Sequence, residues 1–288
     1  MLSAVANGPT LRRRRLAREL SRLREAAGLT IEAAADGAGI SMSHLSRVER
    51  AQVGVRVPVV KALLDTYRAD TQTAAYLVDV AKDATNRGWW HRYARSIPEE
   101  YATYIGFEAD ADRIWNFELI SIPGLLQTEQ YTRAVLRGGT ARLADEEIER
   151  RVEVRLQRQA LLSRPDAPTL WVVLDEAAIR REVGGRHIMA EQLGRLADVA
   201  ALPHIDIQVL PFGVGAHPGT PGSYVVLRFA DAADPDVVYI ETMAGDLYPE
   251  SDADVASAVM TFDRLRAMAL SPDDSAALIR DAAKELAR

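Results

Sequence analysis

A chain of 288 residues, 48% hydrophobic and 26% charged, can bury the cores of two domains and is too apolar to be disordered throughout. It has no cysteine, which excludes disulfides, thiolate zinc sites and cysteine nucleophiles, and no window nears the roughly 20 apolar residues of a membrane span; the expectation is a soluble, unprocessed, cytoplasmic protein. The net charge of −6 hides a division: residues 1–68 hold 12 Lys+Arg against 6 Asp+Glu, and residues 69–288 hold 23 against 35, so a basic head on an acidic body leaves one domain suited to phosphate.

In chain order, residues 1–9 are small and polar and read as a flexible arm. Thr10 can cap a first helix whose Leu11, Leu16, Leu20, Leu23 and Ala27 recur at helical spacing. The arginines at 12–15, with Arg18 and Arg22, coat its other faces, either as phosphate contacts or as a solvated surface. Gly28 ends the helix, and Thr30 can cap a second one with Glu32 in its first turn. Ala33, Ala34 and Ala35 let a neighbouring helix approach closely. Gly39 stands where a sharp turn needs positive φ.

Ser41 then caps a helix in which Leu45 and Val48 face the core, leaving Met42, Ser43, Ser46 and Arg47 on the opposite face. This is the pattern of a helix-turn-helix whose second helix enters the DNA major groove. Arg47 can pair with guanine O6 and N7, the serines can reach base edges or phosphates, and Met42 can touch a thymine methyl. An ordinary helical hairpin with a solvated face gives the same spacing. Arg50, Arg56 in the loop after this helix, and Lys61 are candidate phosphate positioners. Helices from Pro58 and over 71–84 close the bundle.

The domain boundary is expected near 86, after a head spanning 10–85, where Asn86-Arg87-Gly88 breaks the pattern. Trp89 and Trp90 either line a pocket or fasten a linker. Next come a short helix over 99–104, a strand over 114–120 and a helix launched by Pro123-Gly124. Gln127 and Thr128 are candidates for a ligand or partner site, or else caps of a buried turn. A charged helix over 145–163 carries Ile148, Val152, Leu156 and Ala160 at intervals of four, a stripe for a core or subunit contact. Runs at 170–174, 205–210, 224–229 and 237–241 are strands of one mixed sheet, with a parallel crossover between the first two and antiparallel hairpins later. The segment 213–222 reads as a surface loop, and helices over 251–268 and 272–286 close the chain. The expected fold class is therefore an α-helical helix-turn-helix bundle followed by an α/β domain with a mixed sheet, over 86–288.

Residues Leu29-Thr30, Ala35, Gly39-Ile40-Ser41 and Leu45-Ser46-Arg47-Val48-Glu49-Arg50 resemble the Cro and phage-repressor type of helix-turn-helix, the XRE family. The resemblance implies a five-helix bundle and a structural ion pair between Glu49 and Arg24. Ile31 departs from the family, which usually carries a polar residue there to touch phosphate. Ile122-Pro123-Gly124-Leu125-Leu126-Gln127-Thr128-Glu129-Gln130-Tyr131, Trp171-Val172-Val173-Leu174-Asp175-Glu176, Gln208-Val209-Leu210-Pro211-Phe212, Ala216-His217-Pro218-Gly219 and Tyr239-Ile240-Glu241-Thr242 with Gly245-Asp246-Leu247-Tyr248 resemble a C-terminal domain of unknown function found in actinobacterial, antitoxin-like regulators. Such regulators are often encoded beside a small partner protein, and the resemblance carries no catalytic residues.

No catalytic motif emerges. The histidines 44, 91, 187, 204 and 217 lack metal-site spacing, and there is no phosphate-binding glycine motif or nucleophile elbow. Asp175, Glu176, Glu241 and Asp246, at strand ends, could hold a hard cation or simply cap the next helix or turn. The expectation is a DNA-binding transcriptional regulator, not an enzyme and without a cofactor or metal. It would be a homodimer on a pseudo-palindromic operator, controlled by a small partner protein or by a metabolite held between the body's helices and sheet. The rival is an enzyme such as a nuclease recruited by the head.

Overall fold

The computed structural model describes residues 11–85, 89–93, 96–139, 142–231, 234–249 and 251–287. The expected arm, the Thr10 cap and the break at 86–88 lie outside them. The chain divides into two compact units, Met1–Phe107 and Glu108–Arg288. The expected boundary near 86 falls earlier than this division, and 89–107 lies in the first unit.

The first unit opens with α1 (Leu11–Ala26), α2 (Ile31–Gly37), α3 (Met42–Glu49), α4 (Val57–Thr66) and α5 (Thr71–Thr85). Leu16, Leu20, Ala34, Ala35, Leu45, Val48, Val60, Leu63 and Leu77 form its core, and Ile31 and Ile40 pack against it half-buried. Ile31 thus serves packing where the resembled family has a polar residue. A 3-10 turn, Trp89–Tyr93, precedes α6 (Glu99–Asp110), which is longer than the expected helix and contains the division between the units.

The second unit is built on a five-stranded sheet ordered β3-β2-β1-β4-β5. Its strands are β1 (Arg113–Glu118), β2 (Thr169–Asp175), β3 (Ile205–Leu210), β4 (Tyr224–Arg228) and β5 (Val237–Tyr239). β1 runs parallel to β2 and β2 to β3, while β4 is antiparallel to β1 and β5 to β4. The strand nearest the domain's start therefore holds the middle of the sheet, a place its mixed sequence did not reveal.

Between β1 and β2 come a 3-10 turn at Gly124–Leu126, α7 (Glu129–Arg137), α8 (Asp145–Gln159) and a second 3-10 turn, Ala160–Ser163. As expected, Pro123-Gly124 opens a turn, here 3-10, and the helix follows: α7 starts after Thr128, whose hydroxyl accepts from Tyr131 N–H. The core alternative for the α8 stripe holds only in part: Ile148 and Val152 are buried in the chain, but Leu156 and Ala160 are exposed. The buried face also takes in Val154 and Arg158.

α9 (Glu176–Arg180) and α10 (Arg186–Val199) form the crossover from β2 to β3. α11 (Asp252–Met268) puts Phe262 and Leu265 on Phe117, Val173, Val226 and Val238 of the sheet. α12 (Pro272–Leu286) and its lead-in cover the edge of β3: Leu270 N–H donates to Val209 O at 2.9 Å, and Val209 N–H donates to the buried Ser275 Oγ at 2.9 Å. The loop over 213–222 is not wholly superficial, for Gly219 is buried, and a Cβ there would run into the Phe117 ring.

Candidate nucleic-acid interface

Three local devices aim α3. Thr30 caps α2 by accepting from Ala33 N–H at 3.1 Å, Gly39 adopts φ +68°, and Ser41 caps α3 by accepting from His44 N–H at 3.1 Å. Only a residue without Cβ takes the Gly39 conformation at no cost, so chain direction is set by that one position. Leu45 and Val48 then anchor the inner face.

The outer face of α3 presents Met42, 57% exposed, with Ser43 and Arg47 also exposed. Neither Ser43 nor Arg47 has a side-chain partner among the described residues, and the same holds for the exposed Arg56, at the N-cap of α4, and Lys61. Ser46 and Arg50 differ. Arg50 Nη2 donates to Ser46 Oγ at 2.9 Å and its Nε to Ser46 O at 3.1 Å, so each is engaged along the helix surface.

Behind this face, Arg24 clamps Glu49 with two prongs, Nε to Oε1 at 2.8 Å and Nη2 to Oε2 at 3.0 Å, and donates a third bond to Leu29 O. The pair is almost out of water, and the hydrogen bond to Glu49 raises the Arg24 pKa further above its ordinary value. It ties the end of α1 to the end of α3, holding the outer face at a fixed pitch. Burial and the Glu49 carboxylate push the Tyr67 hydroxyl up as well.

The arginine run on α1 is mostly turned inward. Arg13, Arg14 and Arg15 are half-buried; Arg14 lies 4.9 Å over the Phe107 ring, Arg15 donates to Tyr76 Oη at 3.2 Å, and burial lowers the Arg13 pKa. Arg12 is exposed. Consecutive residues on a helix point in different directions, so most of the run packs on its own unit.

The other candidates lie elsewhere. Trp89 and Trp90 are half-buried and meet edge to face at 5.8 Å, with Trp89 also against Tyr93. Gln127 is buried, donating to Ile122 O at 2.7 Å and accepting from Thr132 Oγ1 and Arg155 Nη1. Thr128 N–H donates to Gln192 Oε1 at 2.7 Å while its hydroxyl caps α7. The polar groups of this turn are used to hold it.

The strand-end acids are not gathered into one site. Asp175 Oδ1 caps Ala177 N–H, with Oδ2 3.6 Å from His217 Nε2. Glu176 takes Arg180 and Phe212 N–H, and Asp246 accepts from Tyr239 Oη. Among the described residues no three metal-binding side chains cluster.

Two polar features escaped the sequence reading. Arg158 makes a buried two-pronged pair with Glu108, at 2.8 and 2.7 Å. Glu118, at the end of β1, is pushed up to about 7 by burial, against hydrogen bonds from Ser223, Ser121 and Asn116 and with the nearby Glu241 charge adding to the rise. A charge inside a helix pattern of alternating signs gives no hint that it is buried.

The helix-turn-helix domain family matches residues 15–77, from within α1 to within α5 and including this outer face. The class so defined is a DNA-binding regulator with a helix-turn-helix head. Residues 101–281, well over half of the chain, match the family described as a domain of unknown function, DUF5753, and the protein belongs to that family. No curated protein and no solved structure matches the chain. Among the described residues no helix is long and apolar enough to cross a membrane.

Proposed function

We propose that the protein is a cytoplasmic, sequence-specific transcriptional regulator of the XRE, Cro-like type, in which α3 enters the major groove and the second unit governs when it binds. The observation that carries this reading is the outer face of α3: Met42, Ser43 and Arg47 stand exposed while Leu45 and Val48 anchor the helix beneath them. In it Arg47 reads a base pair, Ser43 and Met42 contact base edges, Ser41 and the linked Ser46 and Arg50 border the groove, and Arg56 positions a phosphate. Arg24 and Glu49 set the pitch of the reading helix.

One such head buries too little DNA for useful specificity, so the regulator acts as a homodimer on a pseudo-palindromic operator with half-sites about 34 Å apart. The sequence resemblance supports an antitoxin-like, actinobacterial regulator controlled by a small partner protein encoded nearby, with a small ligand as the other means of control. The second unit is regulatory in this reading and not catalytic.

An electrophoretic assay on the chain's own promoter, with and without the neighbouring gene's product, tests it. A retarded complex that competitor DNA of unrelated sequence does not abolish is the expected result. Equal binding to all sequences, or none, overturns it. Replacing Glu241 and Asp246 by alanine is expected to leave operator binding unchanged; a nuclease activity lost in that variant would favour the enzyme.

A further inference from the structure

Beside the ends of β4 and β5 and one face of α11 is a cavity of about 450 Å³, within the size range of small-ligand sites, about 300–1,000 Å³. Its two sides differ in chemistry. Pro218, Pro221, Val238, Ile240 and Pro249 make a mostly apolar wall. Opposite, Asp254, Ser257 and Thr261 line it from α11, three and then four residues apart and so on one helical face.

That stripe has unused bonding capacity. Ser257 and Thr261 hydroxyls have no hydrogen-bond partner among the described residues. Asp254 uses one carboxylate oxygen, Oδ2, to accept from Ser251 Oγ at 2.6 Å, and Oδ1 is left without a partner there. Asp254 is the one charged residue lining the cavity among those described, and no lysine, arginine or histidine accompanies it. An anionic ligand would meet an unpaired carboxylate and is disfavoured. A neutral ligand gains only the hydroxyls. An ammonium group can pair with the free carboxylate oxygen and donate to the Ser257 hydroxyl one turn along, while its organic body lies on the prolines and passes Thr261.

We propose that this cavity is the site of a small organic cation, an ammonium group on an aromatic or aliphatic body, and that it is the effector site of the second unit. The assignment as effector rests on the regulator reading above. Gly219, which lines the cavity, lies against the Phe117 ring in the sheet core, so an occupant bears directly on packing at the sheet's centre.

The test uses the full chain with labelled isoleucine, valine and alanine methyl groups, titrated with 2-phenylethylammonium, phenylacetate and 2-phenylethanol as matched probes. Saturable shifts of the Ile240, Val238 and Ala258 methyl signals are expected with the ammonium probe, at least tenfold weaker binding of the alcohol, and no shift with the carboxylate. Asp254→Asn should weaken the ammonium probe at least tenfold, and Ser257→Ala about threefold with the rest of the methyl spectrum unchanged. Unmoved methyls, equal response to all three probes, or unaltered affinity in both variants overturns the proposal. Operator binding is measured on the same samples. Operator binding without ammonium binding sinks the cavity assignment alone; ammonium binding without operator binding sinks the regulator reading and leaves the site.

Discussion

Two arginine-bearing helices, α3 and α8, hold the same residue type in opposite surroundings. On α8, Arg150 and Arg151 share Glu147, Arg155 is held by Gln127, and Arg158 is buried on Glu108. On α3, Arg47 has no partner among the described residues, and neighbouring Arg56 and Lys61 are equally unoccupied. The difference teaches that charge count is a poor guide to a binding face and that charge pairing is a better one. A cation whose counter-ion is a nearby carboxylate has little left for phosphate, whereas one facing water can release counter-ions from DNA.

The contrast can be broken first at its strongest point. Arg158→Ala takes the two-pronged partner away from the buried Glu108, and urea unfolding should show a loss of about 3–5 kcal/mol; a loss below about 1 kcal/mol would mean the α8 pairs are incidental. Glu118 sharpens it next. Its pKa is raised in the folded state, so the folded protein holds the proton where the unfolded chain has lost it. Stability contributed by the protonated form is complete below the ordinary carboxylate range and is lost as pH rises to about 7. The expected fall is up to about 3 kcal/mol, and Glu118→Gln should flatten it; the same slope in wild type and variant assigns it to another group.

Removing Arg24, whose partner is a little less enclosed, should cost about 2–3 kcal/mol of stability in Arg24→Ala, and weaken DNA binding with it by loosening α3. Arg47→Ala should do the reverse, costing roughly 1–3 kcal/mol on the operator with specificity relaxed at one base pair and the melting temperature unmoved. An unchanged footprint removes Arg47 from the reading face. The smallest effect is expected for Arg56→Ala, a near-uniform weakening across sequences with the salt slope reduced by about one; a sequence-dependent loss would make it a reader.

How much of this was legible in the chain differs between the units. In the head, caps and turns lie within a few residues of the helices they control. Thr30, Gly39 and Ser41 announce two helices and the angle between them, and the spacing of Leu45 and Val48 says which face is hidden. In the body the informative contacts are long-range. β1 pairs with β2 across more than 50 residues and with β4 across more than 100, and no local signal marks a strand as central. The α8 stripe lay only half in the core for a related reason: an interval of four alone cannot say how a helix rolls against its neighbours.

By itself, then, the sequence determined the basic head, the capped helices of the helix-turn-helix, the outward set of Met42, Ser43 and Arg47, and the strand-rich nature of the body, because each arises from local backbone preference or hydrophobic period. Tertiary structure alone decided which charges were spent. It brought Arg158 to Glu108, packed Arg14 and Arg15 against their own unit, put Glu118 in a poorly solvated strand end and opened the Asp254 face onto a cavity. The physical reason is that a side chain's worth as a binding group depends on its solvation and its neighbours, and both are set by segments far apart in the chain.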